Sequence, residues 1–311
     1  MTQRKHPDIG YLGGLITEAG TIAIIAGSAQ LEEEDVDHTY IAIWKDRKWA
    51  VFQEEFSITA QACGRGAQAR TVASLGMYGE AVINEPGGVH HERLGKGKDA
   101  PNELRTMHAV RCVGTHFYAV GMRRQVFRRA VVRGPWNKID AGVFVPDSSK
   151  EIAGFLSVDG FDDREVYAVG YSGEIWLFDG KSWSQQSSPT NARLESVRCQ
   201  ADDTVMICGE AGLVLRGRRD AWVELGQDLT DESLMSQATL GSKTYFATES
   251  GLLIEYDGKK FGKTKLPGKN PPTTGFLDSN AEQLLSVGEE DILLYNGRSW
   301  TNMTDPPIDP T

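Results

Sequence analysis

The fold of this chain is decided by a phrase that occurs four times in its second half. The phrase reads VYAVGYSGEIWLFDGKSW at Val166–Trp183 and VMICGEAGLVLRGRRDAW at Val205–Trp222. It returns as TYFATESGLLIEYDGKKF at Thr244–Phe261 and as QLLSVGEEDILLYNGRSW at Gln283–Trp300. Self-similarity at a fixed period is the sequence signature of a repeat architecture, so the period is the first quantity to establish.

A small residue ends the first strand of each phrase and anchors the counting of the units. The anchors are Gly27, Gly76, Gly121, Gly170, Gly209, Thr248 and Gly288. They are 49, 45, 49, 39, 39 and 40 residues apart, which predicts seven units, the first three with insertions. An aromatic residue follows most anchors, and its regular recurrence indicates a packing residue rather than a ligand contact. These aromatic residues are Trp136, Trp183, Trp222, Phe261 and Trp300.

Each unit divides into four short strands separated by turns rich in Gly and Asp. In the fifth unit the predicted strands are Leu194–Gln200, Thr204–Gly209, Leu213–Arg216 and Trp222–Leu225. No segment shows a long apolar period of 3.6 residues, so almost no helix is expected. Four antiparallel strands in each of seven units predict an all-β fold, a single seven-bladed β-propeller of four-stranded antiparallel blades.

The predicted propeller is one domain that covers residues 1–311. Its blades are placed at approximately 9–55, 56–104, 105–150, 151–190, 191–229, 230–270 and 271–305. The last blade is expected to hold all four of its strands without help from Met1–Asp8.

The repeated pattern A-V-G-x-x-G, followed by [DN]-G-x-x-W, resembles a degenerate propeller repeat of bacterial proteins, among them propellers of the toxin-immunity type. The resemblance covers Val166–Met303 well and Thr21–Asp140 poorly. The chain lacks the Gly-His and Trp-Asp signatures of WD repeats. The resemblance therefore implies an architecture, and a catalytic activity does not follow from it.

Composition restricts the partners and the compartment. The formal charge of −10 disfavours nucleic-acid binding, which needs basic stripes, and favours a basic partner. No stretch is long and apolar enough for a membrane span, and no secretory signal is recognised, so no membrane contact is expected. The four cysteines resemble buried apolar residues rather than a disulfide framework, which predicts a cytoplasmic location.

Residues that could support catalysis or bind a metal or cofactor are few. His90, His91 and Glu92 form the only histidine pair beside a carboxylate. Adjacent side chains on an extended chain point in opposite directions, and the segment lies in the insertion Gly87–Asn102, so a solvated loop is expected. There is no nucleophile elbow and no P-loop. We therefore predict no catalytic residue, no cofactor and no metal ion.

The candidate partner-binding residues lie in turns between the second and third strands of the blades. One group is acidic and comprises Glu32, Glu33, Glu34, Asp35, Asp37, Glu210, Glu249, Glu289, Glu290 and Asp291. In the third blade the corresponding turn carries Arg123 and Arg124 instead, which would either orient a charged partner or form salt bridges with neighbouring blades. The insertions at Gln30–Asp37, Gly87–Asn102 and Trp136–Glu151 are where a binding surface would be built.

These features favour a non-catalytic protein-binding propeller. The best hypothesis is an intracellular immunity protein that binds and neutralises a cognate toxin effector with a basic surface. An assembly or scaffold factor fits the same residues. The third hypothesis is a carbohydrate-active hydrolase or lyase with its site in the central depression. It has little support, because only Arg111 and Arg198 recur at a matched position of the predicted innermost strands, and these would bind an anion.

Overall fold

The computed structural model describes residues 8–64, 70–267 and 273–309, and these form seven four-stranded antiparallel sheets. Within every sheet the strands are hydrogen-bonded in chain order, so consecutive strands are neighbours. The sheets are the blades of a seven-bladed β-propeller, and the predicted fold class is confirmed. Residues 1–7, on which part of the expectation about the last blade rests, lie outside the described residues.

The strands of the first three blades are β1 Ile9–Ile16, β2 Ile22–Ser28, β3 Thr39–Lys45, β4 Lys48–Glu54, β5 Ile58–Cys63, β6 Val72–Gly76, β7 Glu80–Glu85, β8 Gly88–Arg93, β9 Met107–Val113, β10 His116–Gly121, β11 Val126–Ala130 and β12 Asn137–Lys138. Those of the fourth and fifth blades are β13 Phe155–Asp162, β14 Glu165–Gly170, β15 Ile175–Phe178, β16 Trp183–Gln186, β17 Leu194–Cys199, β18 Val205–Gly209, β19 Val214–Arg218 and β20 Ala221–Glu224. The last two blades hold β21 Leu234–Leu240, β22 Lys243–Thr248, β23 Leu253–Tyr256, β24 Phe261–Lys263, β25 Thr274–Ser279, β26 Leu284–Gly288, β27 Ile292–Tyr295 and β28 Trp300–Asn302.

Helix is confined to short turns in the described chain. The α-helix α1 covers Ala29–Glu33, and single 3₁₀ turns lie at Gly97–Asp99, Tyr171–Gly173 and Glu210–Gly212. Among these described residues, no helix has the length and apolar character that a membrane span requires. The predicted strands of the fifth blade begin and end within two residues of β17 to β20.

The expectation of a solvated loop at His90-His91-Glu92 is wrong. These residues belong to β8, the outermost strand of the second blade, and pair with β7. The strand is exposed along most of its length, so it lacks the buried alternation that marks a strand in a sequence. His90 contacts Glu85 at 3.2 Å, and Glu92 accepts two hydrogen bonds of 2.7 Å from Arg129 of the next blade.

The chain divides into two compact units, residues 1–58 with 235–311 and residues 59–234. In the first unit, the strand β1 packs against β25 and β26, so the first blade contacts the last one directly. The C-terminal tail reinforces this contact. Trp49 Nε1 donates a 2.9 Å hydrogen bond to the Thr304 carbonyl, and Ile308 is 1% exposed in the apolar cluster around β1. The last blade is thus complete with β25 to β28 and shares no strand with the first.

Polar side chains of innermost strands join neighbouring blades inside both units. In each case a hydroxyl or carboxylate oxygen accepts a hydrogen bond from a backbone N–H of the next innermost strand. The pairs are Ser157 with Val197 and Asp159 with Cys199 in the second unit, and Ser236 with Leu277 and Asp278 with Ile16 in the first, at distances of 2.9–3.1 Å. These side chains replace the water that the unpaired strand edges would otherwise need.

Four of the anchor residues, Gly121, Gly170, Gly209 and Gly288, are glycines because of a close backbone contact. A Cβ atom built on Gly209 would lie 2.1 Å from the carbonyl oxygen of Arg193, and one on Gly170 would lie 1.9 Å from that of Gly154. The contact arises because the innermost strand is bulged at its start, between Leu194 and Ser196 in the fifth blade. The backbone of Gly209 is extended, so the requirement is for space. Any side chain at this position collides with the neighbouring strand.

Replacement of Gly209 by alanine should destabilise the protein by about 1–3 kcal/mol, because the bulged strand must shift to make room for the methyl group. Urea unfolding followed by tryptophan fluorescence measures the free energy of unfolding. Gly226→Ala is the matched control, since a Cβ there meets no atom within 4 Å. Equal stability of the two variants would show that the close contact is not a structural requirement.

Candidate functional site

The candidate site in the first compact unit is the acidic segment, residues 29–37, which consists of α1 and the turn that leads to β3. Glu32, Glu33, Glu34, Asp35 and Asp37 are all exposed. Asp35 has a φ of 57°, a left-handed conformation that Asp tolerates better than most residues, and it ends the helical turn. The segment therefore presents five carboxylates to solvent over six residues.

Two side chains at the base hold the acidic segment in place. Ser28 is the N-cap of α1, and its hydroxyl accepts a hydrogen bond from Leu31 N. His38 is 5% exposed and accepts a 2.7 Å hydrogen bond at Nε2 from Ser28 N. Its Nδ1 lies 2.8 Å from the Val36 carbonyl, so the two contacts require the neutral ring with its proton on Nδ1. His38 thus ties the beginning of the segment to its end.

Asp8 is the third residue that positions the acidic segment. Its carboxylate accepts hydrogen bonds from the Ser28 hydroxyl and from Gln30 N, the latter at 2.8 Å. The hydrogen bond from Ser28, followed by that from Gln30, holds the pKa of this carboxyl below its usual range. Sequence analysis missed Asp8, Ser28 and His38. The serine that precedes Ala29–Glu33 is an N-cap signal that could have indicated the short helix.

The remaining acidic candidates occupy the predicted kind of turn, between the second and third strands of their blades. Glu289 and Glu290 are exposed, and the Glu289 carbonyl accepts a 3.0 Å hydrogen bond from Tyr11 N, which places this turn beside the start of β1. Asp291 is partly buried and accepts hydrogen bonds from Thr273 N and Thr273 Oγ1 at 2.8 and 3.1 Å. Asp291 therefore has a structural role in this turn.

Glu249 and Glu210 are exposed in the equivalent turns of the sixth and fifth blades. Glu210 also accepts a 3.1 Å hydrogen bond from Arg193 N. The part of Glu249 and Glu210 in partner binding stays a prediction.

The arginines of the third blade have partners inside the chain. Arg124 binds both carboxylate oxygens of Glu174, donates a 2.6 Å hydrogen bond to Glu151, and lies 5.5 Å from the centre of the Trp176 ring. Arg123 donates to the carbonyl oxygens of Ser149 and Glu151 at 3.1 and 2.8 Å. The structure thus supplies the salt bridges between blades that were one of the two alternatives. Partner binding by Arg123 and Arg124 stays a prediction.

The arginines proposed as an anion site on the innermost strands are also engaged. Arg111 lies 3.4 Å from the buried carboxylate of Asp159, and Arg198 donates a 2.9 Å hydrogen bond to the Val197 carbonyl. Over residues 8–64, 70–267 and 273–309, no group of three or more His, Cys, Asp or Glu side chains could hold a metal ion.

A curated relative agrees with the chain over almost its whole length. The immune protein Tsi7 of Pseudomonas aeruginosa is 32% identical over 308 residues, which cover 97% of this chain and 100% of Tsi7. The chain belongs to the family of the immune protein Tsi7. No family model matches the sequence.

Membership in the Tsi7 family decides between the hypotheses drawn from the sequence. The name describes an immunity protein, which is a non-enzymatic role, so the expectation that the chain is not an enzyme is confirmed.

The solved structures that resemble this chain support only its fold. Virginiamycin B lyase from Staphylococcus aureus is 12% identical with a TM-score of 0.69, covering 92% of this chain and 94% of the lyase. YCF48 in complex with a D1 peptide is 12% identical with a TM-score of 0.67, covering 96% of this chain and 93% of YCF48.

We expect Arg124→Met to lower the free energy of unfolding by about 3–5 kcal/mol, because it leaves the buried carboxylate of Glu174 without its counterion. The side chain of Glu174 is only 9% exposed. The double variant Arg124→Met/Glu174→Gln should recover much of the loss, since no buried charge is left unpaired. Chemical denaturation measures all three proteins. Arg133→Met, at an exposed position, is the control for the lost charge. If Arg124→Met were as mild as Arg133→Met, the pair would not join the blades.

Proposed function

We propose that this propeller is an immunity protein that binds a protein toxin and neutralises it without any catalysis of its own. The observation that carries the proposal is the 32% identity to the immune protein Tsi7, because it extends over the whole of that protein. Similarity of this extent covers the irregular first three blades as well as the regular ones.

The toxin that we propose has a basic surface. The chain carries a net charge of −10, and five exposed carboxylates are concentrated in the acidic segment. Like charges crowded in this way repel one another, and a partner of opposite charge relieves the repulsion. The bonds made by Ser28, His38 and Asp8 fix the backbone at the start of the acidic segment before binding, so less backbone entropy is lost in the complex.

We propose that this protein binds the toxin in the cytoplasm. The four cysteines, all within the described residues, are free thiols, and Cys112 and Cys208 are buried. Burial raises the pKa of the Cys208 thiol, so it is an unreactive apolar residue. A chain with free thiols and no disulfide between these residues suits a reducing compartment.

The experiment uses the protein encoded by the reading frame next to the gene of this chain. Cells that express this neighbouring protein should survive when the immunity propeller is co-expressed, and the two purified proteins should form a complex. In Glu33→Lys/Glu34→Lys the association rate constant at low salt should fall about tenfold, and its dependence on salt should weaken, because the local charge steers the encounter. Stopped-flow fluorescence at several salt concentrations measures the rate constant.

Glu224→Lys/Glu282→Lys is the matched control, because it makes the same change of charge at two exposed glutamates outside the candidate turns. The control should associate almost as fast as the unmodified chain. If both double variants lowered the association rate constant equally, net charge alone would steer the encounter, and this result would contradict the role of the acidic segment. Failure of the unmodified chain to protect cells or to bind would refute the immunity proposal for this pair.

A further inference from the structure

A pocket of about 480 Å³ opens in the second compact unit and is called the socket below. Its walls are the connectors 94–106 and 139–154, which lead into β9 and β13, and its base is the turn between β10 and β11. The base is fixed by backbone hydrogen bonds of 2.8 Å, from Met122 N to the Thr106 carbonyl and from Arg123 N to the Ala153 carbonyl. A volume of this size admits several side chains or a small ligand.

The walls of the socket are fastened by two arginines. Arg105, which is 5% exposed, donates a 2.8 Å hydrogen bond to the Lys98 carbonyl and lies 3.5 Å from the Asp147 carboxylate, so it links one wall to the other. Arg123 holds the second wall through the carbonyl oxygens of Ser149 and Glu151. Long connectors that are fixed in this way form a binding site before any partner arrives, and such preorganisation lowers the entropic cost of binding.

Two exposed aliphatic side chains lie on the rim of the socket. Leu104 on the first wall is 56% exposed, and Ile152 on the second is 70% exposed. The imidazole of His108 also lines the socket, and burial lowers its pKa. A small ligand inside the socket would contact both aliphatic side chains but would leave much of their exposed surface in water. A protein surface would cover both, which points to a macromolecular occupant.

The charges at the rim restrict the occupant further. Glu103 lies on the first wall and Lys150 on the second, and neither has an ion-pair partner among the described residues. Nucleic acid does not fit, because its phosphates require a row of unpaired cations, and Glu103 would repel them. The rim instead complements a peptide loop that carries a basic residue on one side and an acidic residue on the other.

We propose that the socket receives a loop of the toxin that presents a large apolar side chain between a basic and an acidic residue. The inference rests on the immunity function proposed above. Leu104 and Ile152 contact the apolar side chain and exclude water from it, as the residues of an interface hot spot do. Glu103 and Lys150 fix the direction of the loop. The socket controls how long the complex lasts, whereas the acidic segment controls how fast it forms.

The test measures binding of the protein encoded by the neighbouring reading frame to the full chain and to Leu104→Ser/Ile152→Ser. Both residues are exposed, so the variant should fold with an unchanged melting temperature. Its complex should dissociate at least about 30 times faster, with little change in the association rate. Val132→Ser/Val223→Ser is the matched control, because these valines are 62% and 65% exposed and lie outside the socket. The control should dissociate at the unmodified rate.

The outcomes separate this inference from the proposed function. If the unmodified chain binds and both double variants dissociate at its rate, the socket is not the docking site, while the immunity proposal stands. If the unmodified chain does not bind, the immunity proposal fails and the socket inference falls with it. If sedimentation shows that the chain dimerises and Leu104→Ser/Ile152→Ser abolishes the dimer, the occupant is a second copy and the inference is overturned.

Discussion

The structure depends on one backbone contact that recurs in four of the seven blades, between an anchor glycine at the end of the second strand and a carbonyl oxygen before the innermost strand. A Cβ at Gly121, Gly170, Gly209 or Gly288 would come within 1.9–2.2 Å of that oxygen. The contact fixes the place where the following turn leaves the sheet. The turn itself can then vary in sequence and length without disturbing the blade. Variable turns on a constant frame are what a family of binding proteins requires.

The irregular segments are held as firmly as the blades, although by different interactions. In the first unit, the ring of His38 and the hydroxyl of Ser28 fix the acidic segment by accepting hydrogen bonds from its backbone. In the second unit, the buried charge of Arg105 ties two long connectors together. In both arrangements a buried side chain forms hydrogen bonds with the backbone of the segment that it holds. The chain therefore holds both of its candidate binding surfaces ready before a partner is met.

The sequence predicts the blades well because the residues that identify a blade are close together in the chain. A glycine that must accept a close contact and an aromatic residue that covers the blade recur wherever the packing recurs. The same reasoning fails at β8, Gly88–Arg93, because an exposed outer strand shows no buried alternation. It also misses interactions between residues distant in the chain. The charge of Arg124 is visible in the sequence, whereas its partner Glu174 is 50 residues away. The socket likewise exists only once Arg105 meets Asp147.

In our proposal, recognition takes place on the irregular turns and connectors, and the blades form a rigid frame. Hydrogen–deuterium exchange of the chain, alone and with the protein encoded by the neighbouring reading frame, tests it directly. We expect the backbone amides of residues 29–37 and of the connectors 94–106 and 139–154 to exchange more slowly in the complex than in the free chain. Protection confined to the turns 162–164, 179–182 and 201–203, which join other pairs of strands, with none in the predicted segments, would contradict it.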